Sequence, residues 1–321
     1  MLKKGYIYIL LTTLIFSSME VILKMTGGVF HPLQITALRF FIGGLVLVPF
    51  AVRILKQNHI TLQGKDILRF AGLGFLGMFL SMNLYQMAVQ ETKASVVAVL
   101  FSSNPIFVTI LAFFLLREPI RRHHMLALIL DIIGIVVIID PLHNMLSPLG
   151  IALSLGATLL FAFYGVFGKR SCARFGGVVV TCMSFLLGSA EMFLMMGITH
   201  IPAVAQSAQQ AGLGNLFANI PFFSGITLSV LPLFLFICII NTGVGFACYF
   251  KAMEMTSARE TSLVFFFKPI IAPLFALAIL GEEIPLSMMI GIVFILLGSL
   301  SSILPDLLSI RKKEQVDSVD S

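Results

Sequence analysis

Long apolar stretches recur along the whole chain, and they constrain its fold more than any other feature. Each stretch has about 20 residues, the length that an α-helix needs to cross a bilayer. The stretches are continuous rather than alternating, which favours membrane helices over a β-barrel. The predicted spans are 5–25, 32–52, 67–89, 95–116, 122–140, 149–168, 178–198, 226–251, 260–280 and 286–304. The sequence therefore predicts an all-α integral membrane protein with ten transmembrane helices.

The composition excludes an ordinary soluble domain. Hydrophobic residues make up 58% of the 321 residues and charged residues make up 11%. An average soluble domain is about a quarter charged. A soluble core of this size cannot enclose so much apolar surface, so most of that surface is expected to face lipid.

Lys and Arg are distributed unequally between the segments that connect the spans. If the N-terminus is cytoplasmic, most of the 21 Lys and Arg residues fall on the cytoplasmic side, whereas the long external loop 199–225 has none. This bias predicts a multi-pass protein of the cytoplasmic membrane with both termini and the tail 305–321 in the cytoplasm. Positive loops beside anionic lipid explain the basic net charge, so no nucleic-acid partner is expected.

The second half of the sequence repeats the first. Pro105 aligns with Pro269, and Glu118 aligns with Glu282 without a gap. Each repeat contains five predicted spans, and an odd number of spans places the two repeats upside down relative to each other in the membrane. Inverted repeats are typical of secondary transporters, whose substrate site lies near the midplane between the halves. The predicted domains are a first repeat and a second repeat, at 5–140 and 149–304.

Short motifs occur at equivalent places in the two repeats. The first repeat has "NP" at 104–105 followed by "LRE" at 116–118, and the second has "KP" at 268–269 followed by "LGE" at 280–282. With ten spans in two repeats, the chain resembles the EamA family of the drug/metabolite transporter superfamily. The resemblance implies a transporter of amino acids, sugars, nucleotide-type metabolites or drugs.

Lys268 is the most unusual residue in the apolar stretches because it lies near the midplane of the ninth predicted span. A buried lysine there costs about 3 kcal/mol unless it is paired or hydrated. Its counterpart in the other repeat is Asn104. Pro105 and Pro269 each remove a helix hydrogen bond and are expected to break the two helices. We expect a central cavity here, in which Lys268 binds an anionic or zwitterionic ligand; the alternative is a structural lysine paired with a carboxylate.

Three carboxylates in the predicted spans, Glu20, Asp131 and Glu191, are candidate partners for Lys268. Glu20 lies at a similar depth to Arg39, and this favours a structural salt bridge between those two. Lys268 would then pair with Asp131 or Glu191. The resemblance implies that the fifth helix is peripheral, which favours a structural role for Asp131. Glu191 has no counterpart in the first repeat and is a candidate for titration during transport.

Uncharged polar side chains complete the candidate substrate site, although packing between helices explains each of them as readily. They are Asn83, Tyr85, Asn104, Tyr164, Asn241 and Tyr249. Tyr164 is placed to stack on an apolar or aromatic ligand.

The sequence contains no HExxH, CxxC or Walker motif, so we expect no metal, no cofactor and no ATP-driven step. The favoured function is a secondary transporter that exports a small organic metabolite, such as an amino acid, by alternating access, with lipid as its other partner. The alternative is an intramembrane enzyme acting on a lipid or isoprenoid substrate. An enzyme would need clustered Asp or His pairs near one membrane surface, and the sequence shows none. A passive channel is a third possibility.

Overall fold

The computed structural model describes residues 2–116, 122–140, 146–255 and 263–317, and over these residues it is helical with no strand. The helices, numbered along the chain, are α1 (Leu2–Met25), α2 (Pro32–Gln57), α3 (Gly64–Glu91), α4 (Ala94–Ser102), α5 (Asn104–Leu116), α6 (Arg122–Ile139), α7 (Pro148–Phe175), α8 (Gly177–Ile198), α9 (Pro202–Gln210), α10 (Gly214–Phe217), α11 (231–255), α12 (263–280) and α13 (Leu286–Asp317).

Seven helical segments in the described part of the chain are long and apolar enough to cross a membrane. Three shorter apolar helices accompany them: Met125–Ile139, Val264–Leu280 and Leu286–Ser301. The prediction of an all-helical chain built from membrane-spanning helices is confirmed. A helical segment overlaps each of the ten predicted spans, but the helix of the eighth span begins at Leu231 rather than at 226. Residues 260–262 of the ninth predicted span lie outside the described ranges.

Two helices contain π-helical segments at nearly equivalent places of the sequence repeat. They are Phe75–Ser81 in α3 and Phe236–Val244 in α11. In a π segment each backbone hydrogen bond spans one residue more than in an α-helix. Such segments are frequent at functional sites. A third π segment, Ala276–Leu280, ends α12.

Helices from equivalent places of the two sequence halves pack against each other. α2 packs along α8, α4 along α12, and α6 along α13. The contact of α1 with α11 in one direction is matched by the contact of α7 with α3 in the other. Each contact therefore has a counterpart when the two halves are exchanged.

Two charged side chains tie helices together at one end of the bundle. Lys24, at the end of α1, donates hydrogen bonds to the carbonyl oxygens of Gln90 at 3.0 Å and Thr92 at 2.8 Å. Glu282, which follows α12, accepts a hydrogen bond from the backbone N–H of Ala94 at 2.8 Å. A carboxylate is stabilised there because the first N–H groups of a helix have no partner within the helix. These contacts link α1, α3, α4 and the segment after α12.

The α6–α13 contact is close because it is built on glycine. A methyl group on Gly291 would lie 2.7 Å from the carbonyl oxygen of Gly134. Asp131, only 4% exposed, lies in the same contact with its carboxylate against Gly298. The structure thus places Asp131 between two helices that pack against each other, and its structural role remains a prediction.

We expect Gly298→Ala to lower the free energy of unfolding by about 1–3 kcal/mol, because the new methyl group would overlap the Asp131 carboxylate. Gly72→Ala in α3 is the matched control, since nothing lies within 4 Å of a methyl group at that position. Its stability should be unchanged or slightly higher, because alanine is the better helix former. Unfolding of the purified proteins in detergent measures both effects. Equal stability of the two variants would contradict the close α6–α13 contact.

Candidate functional site

A cavity of about 530 Å³ lies among the helices. Residues of α1, α2, α3, α4, α5, α7, α8, α11 and α12 line it, and no described residue of α6 or α13 does. Helices of both sequence halves therefore form its wall. This is the type of location that the repeat predicted for a substrate site.

Phe and Tyr rings form a large part of the cavity wall. The ring of Phe101 contacts those of Tyr85 and Phe161, with centroids 4.9 and 5.3 Å apart. Phe16 contacts Phe246 across the contact between α1 and α11, with centroids 5.0 Å apart. An apolar wall with a few polar groups suits a small organic ligand whose body is apolar or aromatic.

The cavity leads towards one end of the bundle. Cys172 and Gly177, at the end of α7 and the start of α8, line it. The start of α7 lies at the opposite end, since a methyl group on Gly150 would lie 2.7 Å from Thr92, a contact of Lys24. The cavity thus extends away from the end that Lys24 and Glu282 tie together.

Lys268 lines the cavity and forms an ion pair with Glu20 of α1, with the Nζ–Oε1 distance at 2.5 Å. Both side chains are buried, at 3% and 0% exposure. The Lys268 ammonium also lies 5.4 Å from the centre of the Phe101 ring. Two opposite charges buried this closely neutralise each other and join α12 to α1.

The predicted salt bridge between Glu20 and Arg39 is wrong, and so is the pairing of Lys268 with Asp131 or Glu191. The depth of each residue was readable from its position in a span, but the direction in which each side chain points was not. Because α1 packs against α12, Glu20 faces Lys268. Glu191 is partly buried on α8 and does not line the cavity.

Arg39 also lines the cavity and is only 1% exposed. Its guanidinium lies over the Phe40 ring, 4.4 Å from the centre, and Nη1 donates to the sulfur of Met19 at 3.6 Å. Nε and Nη2 have no hydrogen-bond partner among the described residues. Tyr85 interacts electrostatically with Arg39 and with Glu20.

Four of the predicted uncharged residues, Tyr85, Asn104, Tyr164 and Tyr249, line the cavity. Asn104 also donates a hydrogen bond to the carbonyl oxygen of Thr158 in α7 at 3.1 Å.

Asn83 and Asn241 do not line this cavity, and their predicted contact with a substrate stays a prediction. The Asn83 amide donates to the Phe79 carbonyl at 2.5 Å, and the Asn241 amide donates to the Ile15 carbonyl of α1 at 2.6 Å. Their amides are used within and between helices because a polar group in an apolar surrounding takes the nearest carbonyl.

The two prolines affect the helices differently. In the first repeat the helix is interrupted at Ser103, and α5 begins at Asn104. Pro105 therefore lies in the first turn of α5, where the N–H group has no partner within the helix and its absence costs nothing. The helix of the second repeat continues through Pro269 and Pro273. The predicted break at Pro269 is therefore wrong: α12, which packs against α1 and α4, stays helical across both prolines although each lacks a backbone N–H.

Apolar residues of the cavity wall, such as Met19 and Phe40, were missed by the sequence analysis. An apolar residue in an apolar helix carries no pattern that distinguishes a cavity from lipid. Gly168 was missed as well. It lines the cavity, is buried, and has open space where a side chain would begin.

Comparison with known proteins identifies the family. Residues 3–140 and 148–304 each match the EamA-like transporter family. The chain belongs to this family. An uncharacterized transporter of Clostridium kluyveri is 36% identical over 307 residues, which cover 93% of each chain. The threonine/homoserine exporter RhtA of Salmonella typhimurium is 25% identical over 293 residues, which cover 89% of this chain and 85% of RhtA.

A solved crystal structure shares the fold, with a TM-score of 0.61 at 17% identity, covering 95% of this chain and 98% of the other. The family match of residues 3–140 and 148–304 confirms the resemblance to the EamA family that the "NP" and "KP" motifs predicted. Residues 117–118 of the "LRE" motif lie outside the described ranges.

Proposed function

We propose that this EamA-family protein is a secondary transporter that moves a small organic compound across the cytoplasmic membrane by alternating access. The observation that carries the proposal is the cavity of about 530 Å³, which extends towards one end of the bundle while Lys24 and Glu282 hold the other end together. A cavity tied at one end is the arrangement that alternating access requires.

The matched helix contacts and the paired π segments support an arrangement of ten spans as two inverted repeats, 5–140 and 149–304. Two equivalent halves can adopt two packings of similar energy by exchanging their conformations. In this proposal, the Lys24 and Glu282 contacts open when the cavity becomes accessible from their end of the molecule.

The Lys and Arg bias supports a cytoplasmic location of both termini. In that orientation the tied end is external and the cavity opens towards the cytoplasm. Capture from the cytoplasm and release outside is export. The similarity to RhtA, which is described as a threonine/homoserine exporter, supports an amino acid or a related compound as cargo. The proposed substrate contacts are Lys268, Asn104, Tyr85, Tyr164 and Tyr249, which line the cavity.

Export and uptake of a panel of compounds by cells that overexpress the protein would test the proposal. The panel should contain amino acids, sugars, nucleosides and aromatic carboxylates, and cells with an empty vector are the control. We expect faster efflux of at least one compound. If the protein is present in the membrane and no compound moves faster in either direction, the proposal is contradicted. A changed lipid or isoprenoid profile without flux would favour the enzyme alternative.

A further inference from the structure

Arg39 is a buried cation for which no carboxylate lies within ion-pair distance among the described residues. Glu20, which the sequence analysis paired with Arg39, forms its ion pair with Lys268 and interacts with Arg39 only electrostatically, beyond ion-pair distance. Arg39 contacts the sulfur of Met19 and the ring of Phe40, and both are weak partners for a full charge. An unpaired charge at 1% exposure is strongly unfavourable unless another group enters to compensate it.

The free donors of Arg39 lie on one edge of the guanidinium. Nε and Nη2, which have no hydrogen-bond partner among the described residues, are adjacent and point the same way. The two oxygens of a carboxylate match this pair of N–H groups, and such bidentate contacts are among the strongest hydrogen bonds in proteins. The other terminal nitrogen, Nη1, is the one that contacts Met19.

The charges around the cavity favour an anion. Of its described lining residues, Arg39 and Lys268 carry a full charge, and both are cations. Glu20 neutralises Lys268, so one positive charge remains without a counterion, at Arg39.

We propose that Arg39 binds the carboxylate of a monoanionic substrate whose apolar or aromatic body lies among Phe101, Tyr164 and Phe246. The inference rests on the proposed function, because it takes the cavity to be the substrate site. It assigns the anion site to Arg39 rather than to Lys268, whose charge is already paired. Among the amino acids and related compounds of the proposed function, this inference selects an organic acid with one net negative charge over a zwitterionic amino acid and over a neutral compound of the same shape.

Calorimetric titration of the purified full-length protein in nanodiscs tests this with 3-phenylpropanoate and its neutral amide, 3-phenylpropanamide. The two probes have the same body and differ in charge. We expect the amide to bind at least about tenfold more weakly than the carboxylate, as the loss of a charged hydrogen bond predicts. Arg39→Gln should remove this difference in affinity, because it should weaken the binding of 3-phenylpropanoate and leave the binding of the amide unchanged.

Arg174→Gln is the matched control. Arg174 also lies over the following aromatic ring, 4.6 Å from the centre of Phe175, but it pairs with Asp66 at 3.0 Å and does not line the cavity. This variant should discriminate between the probes as the unaltered protein does. Arg39→Lys, which keeps the charge and loses the bidentate edge, should discriminate less than the unaltered protein.

Equal binding of the two probes by the unaltered protein would overturn the inference, and this comparison needs no variant to fold. Failure of the carboxylate to bind, or undiminished discrimination by folded Arg39→Gln, would overturn it as well. In each of these cases flux in the compound panel would leave the transporter proposal standing. Absence of flux for every compound would instead remove the proposed function.

Discussion

Glu20→Gln and Lys268→Met are each expected to lower the free energy of unfolding by about 3–5 kcal/mol. Either change leaves one member of a buried ion pair without its counterion, and the cost of an unpaired buried charge is of this size. The pair is 2.5 Å apart and nearly inaccessible to solvent, so water cannot replace the missing partner. The loss is expected to be larger for Glu20→Gln, because Lys268 and Arg39 would then be two cations facing one cavity.

The double variant Glu20→Gln/Lys268→Met should recover most of the lost stability, since it removes both charges together. Unfolding in detergent, measured for the single and double variants, gives the coupling energy directly. Asp66→Asn provides a control, because the Arg174 side chain of that ion pair is half exposed and the expected loss is about 1 kcal/mol or less. If the losses of the two single variants simply add in the double variant, Glu20 and Lys268 do not form the pair described above.

The pair also illustrates what the sequence can and cannot predict. The depth of Lys268, Glu20 and Arg39 follows from counting residues along a span, and on depth alone Arg39 was the favoured partner of Glu20. The direction of a side chain around the helix axis is normally read from the contrast between polar and apolar faces. A membrane helix is apolar on all sides, so this contrast is missing and the partner was assigned incorrectly.

The arrangement of the helices was more accessible to sequence reasoning than the contacts within the site. Apolar runs and the repeated "NP" and "KP" motifs predicted helices, family and the approximate place of the cavity. The two prolines behave differently: the helix is interrupted at Ser103, just before Pro105, but continues through Pro269. The sequence did not predict this difference. A proline lacks the N–H that a continuous helix would use, and whether the helix ends before the proline or continues through it depends on the neighbouring helices that hold it.

Gly168→Phe is expected to abolish transport without unfolding the protein. Gly168 lies on the cavity wall, is buried, and has no atom within 4 Å of the position where a side chain would begin. A phenyl ring there would extend into the space that a substrate needs. Gly197→Phe in α8 is the matched control, since that glycine has equally free surroundings but is exposed and does not line the cavity.

Flux through proteoliposomes that contain the unaltered protein, Gly168→Phe or Gly197→Phe tests most directly whether the cavity is the transport pathway. The compound to use is the one with the fastest flux in the cell panel, and thermal unfolding establishes that all three proteins are folded. The account predicts that the unaltered protein and Gly197→Phe transport the compound, while Gly168→Phe does not exceed empty liposomes. Transport by folded Gly168→Phe at the rate of the unaltered protein would contradict it.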